Sequence, residues 1–515
     1  MIELNKETVC VSESNINAFS QAYAEADIIV PDVKPDIARV LQIDANAIIL
    51  NKSCSTDRVT VEGKVSLNIL YVGEDGSVKS IVSSQSFSQL LDAKGALDGM
   101  SIELESDVQN IDYNVVNSRK ISIKVLIGLD VKVSMPIEVD LVTAVTGDDS
   151  LEILHKSINP YSVVVRTEEE LSIREKLEIP SGKPSIASIL KLDAKVTSKD
   201  IKLVSGKLIV KGTLSVTTLY LGEMEENNVQ FMEHEIAFTE IVSAQDADED
   251  MTAYMQFDVK DIFYDVDEDS DGDSRVIVLD VVLNACAKVC RAVSLDVIED
   301  VYSVNMPLLV SKDNAKIDRI VADHKAQVTL KDVASMPRDL PEIMQVYNLI
   351  TKPYLSNTRV ENNKIIVEGV IDTHILYLSS NEQSPLHTYK HEQKFSQHIE
   401  IDGVDDSMQC DISLDMEHIS YNIGMGSEVD LRYILCINAT VISQDNINYV
   451  TGVAVSEEDI LQLKPSCCIR IYFVKKGDRM WDIAKKYRTT IEKIMTANDM
   501  TGEMDLISGR QILIP

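Results

Sequence analysis

Two long stretches of the chain alternate between apolar and polar side chains. Val59, Val61, Val65, Leu67, Ile69 and Tyr71 take turns with Thr60, Glu62, Lys64, Ser66 and Asn68. Ile121, Ile123, Val125, Ile127, Leu129, Val131 and Val133 hold every odd position of a second run. The same period returns over Ile277–Val289 and Val429–Val441. A period of two over this length predicts strands with one face buried. Asp75-Gly76 follows the first run and signals a hairpin turn. From Ile471 onward the spacing changes: a short apolar run, Ile471–Val474, precedes Met480, Ile483, Ala484 and Tyr487, which share one helical face.

The strands belong to a repeat. Pro31-x-x-x-Pro35-x-Ile37, Pro180-x-x-x-Pro184-x-Ile186 and Pro337-x-x-x-Pro341-x-Ile343 share one pattern. Gly63, Gly212 and Gly369 each lie 28 residues past the second proline, and Tyr71, Tyr220 and Tyr377 lie 8 residues further on, each after a leucine. Phe87, Phe238 and Phe395 follow, then Tyr113, Tyr264 and Tyr421, each with Ile two residues before it. The glycine inside each Val-x-Gly strand predicts a bulge or a close backbone approach. The prolines, unable to donate ladder hydrogen bonds, are expected to open each module at a sheet edge. Units this long are whole domains, not turns of a solenoid. The division expected is 1–150, 151–307 and 308–450 for three β modules, 451–469 for an acidic linker, and 470–515 for a small terminal domain. Stretches 136–179 and 306–336 keep alternating segments and go with the flanking modules. The fold class is mainly β: three tandem antiparallel β-rich modules, sandwich or barrel-like, plus a βααβ tail.

Composition narrows the partners. With 515 residues and a formal net charge of −34, the chain would be repelled by phosphate backbones and anionic lipid, so neither nucleic acid nor a membrane is expected as partner. The most apolar stretch, Val276–Val289, carries Asp280 and Asn284 and reads as a strand, not a membrane span. Met1-Ile-Glu-Leu-Asn-Lys6 lacks the pattern of a secretory signal. The eight cysteines form no CxxC pair and read as reduced thiols of a cytosolic protein.

Asp265-Val-Asp-Glu-Asp269-Ser-Asp271-Gly272-Asp273 resembles half of a calcium loop, but Val278 stands where a bidentate Glu is required. The second module has five extra residues at this point, so the run reads as a lengthened hairpin turn. His387, His391 and His398 have no counterparts in the other modules and read as ordinary surface or core histidines. No metal site, cofactor, phosphate loop or catalytic triad is indicated. The recurring residues are Pro, Gly, Val, Leu, Ile, Phe and Tyr, which shape backbone and core, with no shared Asp, Glu, His or Cys expected, so no triplicated catalytic site is expected.

The tail has a capping box at Thr489-Thr-Ile-Glu492, with Asp478 as the expected cap of the preceding helix. Tyr472-Phe-Val-Lys-Lys-Gly-Asp478, Trp481-Asp-Ile-Ala-Lys-Lys-Tyr487, Thr489-Thr-Ile491, Asn498 and Ser508-Gly-Arg-Gln-Ile-Leu-Ile-Pro515 resemble a LysM domain. Arg479 departs from the Thr or Ser usual in that family. The repeats resemble SPOCS modules, and tandem copies ahead of one LysM domain resemble the clostridial spore-coat morphogenetic family. That resemblance implies a non-catalytic adaptor of the mother-cell cytoplasm, recruited to the forespore surface. Its LysM domain would bind the morphogenetic ATPase of the coat basement layer, and the β modules would meet other coat proteins. The residues themselves add a charge asymmetry: 470–515 carries +3 against −37 for the rest, which fits a separate partner surface or docking onto the chain's own acidic modules. Trp481, with Met480, Ile469, Lys485, Lys486 and Arg488, is the candidate partner face; Trp481 reads equally as core or as interface anchor. The rival reading is a LysM protein binding peptidoglycan N-acetylglucosamine; an enzyme with an unrecognised site in the modules ranks last.

Overall fold

The computed structural model describes residues 2–223, 229–338, 340–379, 386–424, 428–456, 470–500 and 507–515. Module one is built from β1 (Glu3–Ile29), β2 (Ile37–Ser55), β3 (Arg58–Gly73), β4 (Val78–Asp92), β5 (Ser101–Asn117) and β6 (Lys120–Thr146). These form two antiparallel sheets of order β1-β6-β5 and β2-β3-β4. The two alternating runs are the central strands β3 and β6, and their apolar faces meet: Val59, Val61, Leu67, Ile69 and Tyr71 pack on Ile121–Val133 with exposures near zero. Each module is thus a six-stranded sandwich.

Module two repeats it with β7 (Leu151–Ile158), β8 (Tyr161–Glu178), β9 (Ile186–Val204), β10 (Lys207–Gly222), β11 (Val229–Ser243), β12 (Thr252–Glu268), β13 (Ser274–Ala292) and β14 (Leu295–Ser303). The outer pair that runs unbroken in module one is split here at Asn159-Pro160, where proline cannot donate to the ladder. Module three has β15 (Leu308–Ser335), β16 (Ile343–Glu361), β17 (Lys364–Ser379), β18 (Leu386–Glu400), β19 (Gln409–Ile423) and β20 (Glu428–Val455). The strand β20 runs five residues into the segment expected as linker, because Val453–Val455 pair with Leu308–Val310. Residues 457–469 lie outside the described residues.

The recurrent residues now have reasons. Gly63, Gly212 and Gly369 sit directly opposite Phe87, Phe238 and Phe395 on the neighbouring strand. Each phenyl ring lies over its glycine so closely that a Cβ would fall 2.6, 2.4 and 2.5 Å from ring carbon Cζ. The hydroxyls of Tyr71, Tyr220 and Tyr377 donate to the carbonyls of Pro35, Pro184 and Pro341 at 3.0, 3.0 and 3.3 Å. The prolines do not open the modules as expected. They lie inside each one, in the turn that carries the chain from one sheet to the other, because β1, β8 and β15 before them already pair with β6, β13 and β20. Arg119 and Arg275 hold this turn through the carbonyls of Val30, Ile179 and Pro180.

The acidic run lies in β12 and its turn to β13, as the hairpin reading requires. Asp269 spends its carboxylate on the turn, accepting from the amides of Asp271 and Asp273. The three histidines do not converge: His387 stacks on Tyr377 and His391 bonds to Asp332. The six described cysteines are free.

The modules close into a ring. In each Leu-Tyr pair the tyrosine enters its own core, while Leu70, Leu219 and Leu376 point the other way into one shared cluster with Val78, Val229 and Leu386. Lys64 pairs with Asp261 at 3.0 Å and Lys191 with Asp44 at 2.7 Å between modules one and two. Lys195 donates to the Met416 carbonyl at 2.6 Å between two and three. Arg39 and Thr388 exchange bonds with the carbonyls of Leu386 and Leu41 at 2.9 and 3.0 Å between three and one. At the far end, the ribbons β1/β6, β7/β14 and β15/β20 pack on each other through Val11, Leu141, Val297, Ile317, Ile447 and Tyr449.

An acid does recur fifteen residues before the second tyrosine, at Asp98, Glu249 and Asp406, and an aspartate six residues before it, at Asp107, Asp258 and Asp415. Each of the latter three faces a lysine of another module, Lys352, Lys52 and Lys195 respectively. These aspartates lie at the contacts between modules that close the ring. Around them carboxylates from all three modules crowd together. Burial, then Asp130, Asp258, Glu103 and Asp411, pushes Glu105 up, and burial does the same to Asp107 and Asp258. A carboxyl raised on folding binds its proton more tightly in the native state, so its effect on stability grows as pH falls through the raised value and is lost as pH rises. Glu105→Gln, which removes one of these carboxyls, should therefore raise the melting temperature more at high pH than at low pH; an equal or opposite difference contradicts it.

Candidate docking interface

The tail pairs β21 (Arg470–Phe473) with β22 (Gln511–Ile514), antiparallel, around α1 (Met480–Tyr487) and α2 (Ile491–Ala497). Its helix caps differ from those expected. Asp478 does not cap α1; its carboxylate accepts from the Tyr472 hydroxyl and the Lys475 amide, at 2.8 and 2.7 Å, and so braces the turn out of β21. The cap of α2 is Thr490, one residue later than Thr489, and accepts from the Lys493 amide at 3.1 Å. Thr489 is instead buried, its carbonyl accepting from the Tyr302 hydroxyl at 2.8 Å.

That last bond crosses to module two. The face of α1 that carries Trp481 sits on β14. The indole packs edge-on against Tyr302, with ring centroids 4.9 Å apart, and its Nε1 donates to Asp300 Oδ2 at 2.8 Å. Lys485 Nζ reaches both oxygens of Asp300 at 2.7 and 2.8 Å, and Lys312 of β15 reaches the same carboxylate at 2.8 Å. Leu154 and Val304 complete the apolar contact. Asp300 is 5% exposed. Burial alone would raise its pKa, but the bonds from Lys312, Lys485 and Trp481 outweigh it and hold the carboxyl below its ordinary range. Arg479, the departure from the LysM pattern, forks onto Asp482 at 2.9 and 3.1 Å and comes within 3.9 Å of Glu299.

The candidate partner residues therefore separate. Trp481 and Lys485 share the docked face. Met480, 1% exposed, lies in the core beneath. Lys486 turns away, over the rings of Tyr472 and Tyr487 at 5.6 and 5.5 Å, and Arg488 takes the left-handed cap position after α1 at φ 51°. Ile469 lies outside the described residues. Trp481 is buried in the tail's core and also contacts module two of the same chain. Asp300, Tyr302 and Lys312 had no motif to mark them. The opposite charges of tail and modules were their one sign in the sequence.

The fold and this interface define a multidomain binding protein: three repeated β-sandwiches carrying a small terminal docking domain. More particularly, residues 36–116, 185–267 and 342–424 match the family described as SipL, SPOCS domain, and residues 472–515 match the LysM domain family. The chain thus has the SipL architecture, three SPOCS domains ahead of one LysM domain. Both are families of non-catalytic binding domains, and together they mark a sporulation-related, LysM-containing protein. Each SPOCS match spans the strands from β2 to β5 or their equivalents and leaves out the long outer pair, β14 included. No curated protein and no solved structure matches the chain. No helix among the described residues is long and apolar enough to cross a membrane.

Proposed function

We propose that this protein is a non-catalytic adaptor of spore-coat assembly, working in the mother-cell cytoplasm and drawn to the forespore surface. Its LysM domain binds the morphogenetic ATPase of the coat basement layer, with Trp481 and Lys485 at the centre of the contact. Met480 supports them from below, Lys486 and Arg488 lie at the margin, and Ile469 completes the proposed set of contact residues. The ring of SPOCS domains presents β surfaces to other coat proteins.

The observation that carries this reading is how the repeat spends its shared side chains. Glycine receives a phenyl ring, tyrosine ties a proline turn, leucine joins the ring, and aspartate faces a neighbouring lysine. These four roles are structural: they set backbone path, core packing and the contacts between modules. The positive tail on an acidic body supports a domain that recognises a separate protein surface.

Affinity purification from sporulating cells tests it. The full chain should recover the coat ATPase; a chain ending at Ser466, and the full chain with Trp481→Glu, should not, with circular dichroism confirming that the variant is folded. Binding of the LysM domain to chito-oligosaccharide, with no ATPase recovered, would favour the glycan reading instead.

A further inference from the structure

The contact between α1 and β14 is not something the repeat needs. Counting from the shared runs that begin at Ile121, Ile277 and Val429, Asp300 aligns with Ala144 and Gly452, and Tyr302 aligns with Thr146 and Ala454. Two of the three ribbons therefore have small or neutral residues where the third has a buried carboxylate and a tyrosine. That third ribbon is the one the LysM domain sits on. A carboxylate that is 5% exposed in an apolar ribbon would be costly without partners. Two of its three side-chain partners, Trp481 and Lys485, come from the LysM domain. The acid–aromatic pair is thus specific to the docked helix face.

We infer that Asp300-Val301-Tyr302 is an internal ligand of the LysM domain, and that an outside protein using Trp481 must present the same chemistry, a carboxylate beside an aromatic ring on an extended strand, and displace it. The inference deepens the adaptor reading and rests on it for the identity of the competitor. The geometry sets the terms of exchange. A competitor must offer Trp481 Nε1 an acceptor and Lys485 a counter-charge, and must cover the indole ring where Tyr302 now stands. Release would leave Asp300 with Lys312, so the ribbon keeps one countercharge when the domain departs.

Trp481 is the chain's sole tryptophan, so its fluorescence reports this face in the intact protein. Asp300→Ala in the full chain leaves Lys485 and Lys312 facing each other without their acid. Its indole emission should shift to the red, and acrylamide should quench it several-fold more efficiently than in the unaltered chain. Titrated with purified coat ATPase, the variant should bind about tenfold tighter, the relief expected when a competing internal state is removed. The isosteric Asp300→Asn serves if Asp300→Ala fails to fold by circular dichroism, and should move both readouts the same way by less. Unchanged quenching in both variants overturns the inference, as does an exposed indole with unchanged ATPase affinity. Increased quenching with no ATPase binding by any form keeps the internal contact and removes the adaptor reading.

Discussion

Gly212→Ala should cost the second module about 3 kcal/mol, at the upper end for an overpacked core. The cause is space, not backbone conformation, because this glycine is an ordinary extended residue in β10. An added methyl would fall 2.4 Å from Phe238 Cζ and 2.9 Å from the Ser198 carbonyl oxygen, so it meets a ring on one side and backbone on the other. The ring has nowhere to go: Phe238 is 7% exposed and packs edge-on against Phe257 at 6.0 Å. Phe238→Ala alone removes the ring and should cost about 3–5 kcal/mol through the cavity it leaves. The double variant is decisive. With the ring gone, the new methyl occupies part of the void, so the pair should cost clearly less than the two singles together, a coupling of about 1–3 kcal/mol. Urea unfolding of the four proteins measures it. Simple additivity would mean that the glycine recurs for some other reason.

That pairing also shows what could be read in advance and what could not. The alternation at Val59–Tyr71 and Ile121–Val133 named the two central strands, since a period of two is imposed by the pleat and survives any tertiary context. The Gly–Phe and Pro–Tyr recurrences could be counted but not paired, because cross-strand register is absent from spacing along one strand. The prolines were misplaced for the same reason. Their inability to donate was legible, but the strand preceding them finds its partner some hundred residues later, at β6, β13 or β20. Asp107, Asp258 and Asp415 recur in plain sight, yet an isolated acid carries no sign that it faces a lysine on another module. Trp481 was flagged by its rarity and the tail's positive charge. Its internal ligand was not, because Asp300 lies in an apolar stretch about 180 residues away and belongs to no motif.

The ring makes its strongest demand on the third module. A chain cut after Asn305 keeps both complete sandwiches and the β7/β14 ribbon, yet it should not behave as a soluble monomer. Val11, Leu141 and Val297 would lose Ile317, Ile447 and Tyr449, and Val142 and Ile298 would lose Val450. Leu41, Leu70 and Leu219 would lose Leu376 and Leu386 at the other end. Arg39 would lose the Leu386 carbonyl and Lys195 the Met416 carbonyl. Contiguous apolar surface of this kind is retained in solution only by covering it, so the shortened chain should associate with itself or precipitate. Light scattering after size exclusion reads the outcome. Supplying residues 308–456 as a separate chain should then restore a soluble one-to-one complex, because every lost contact is non-covalent and the break falls between Ser303 and Leu308, outside any strand. A two-module chain that stays monomeric and folded, each module unfolding on its own, would show that the modules are independent beads, and that the shared leucines and aspartates do not hold them together.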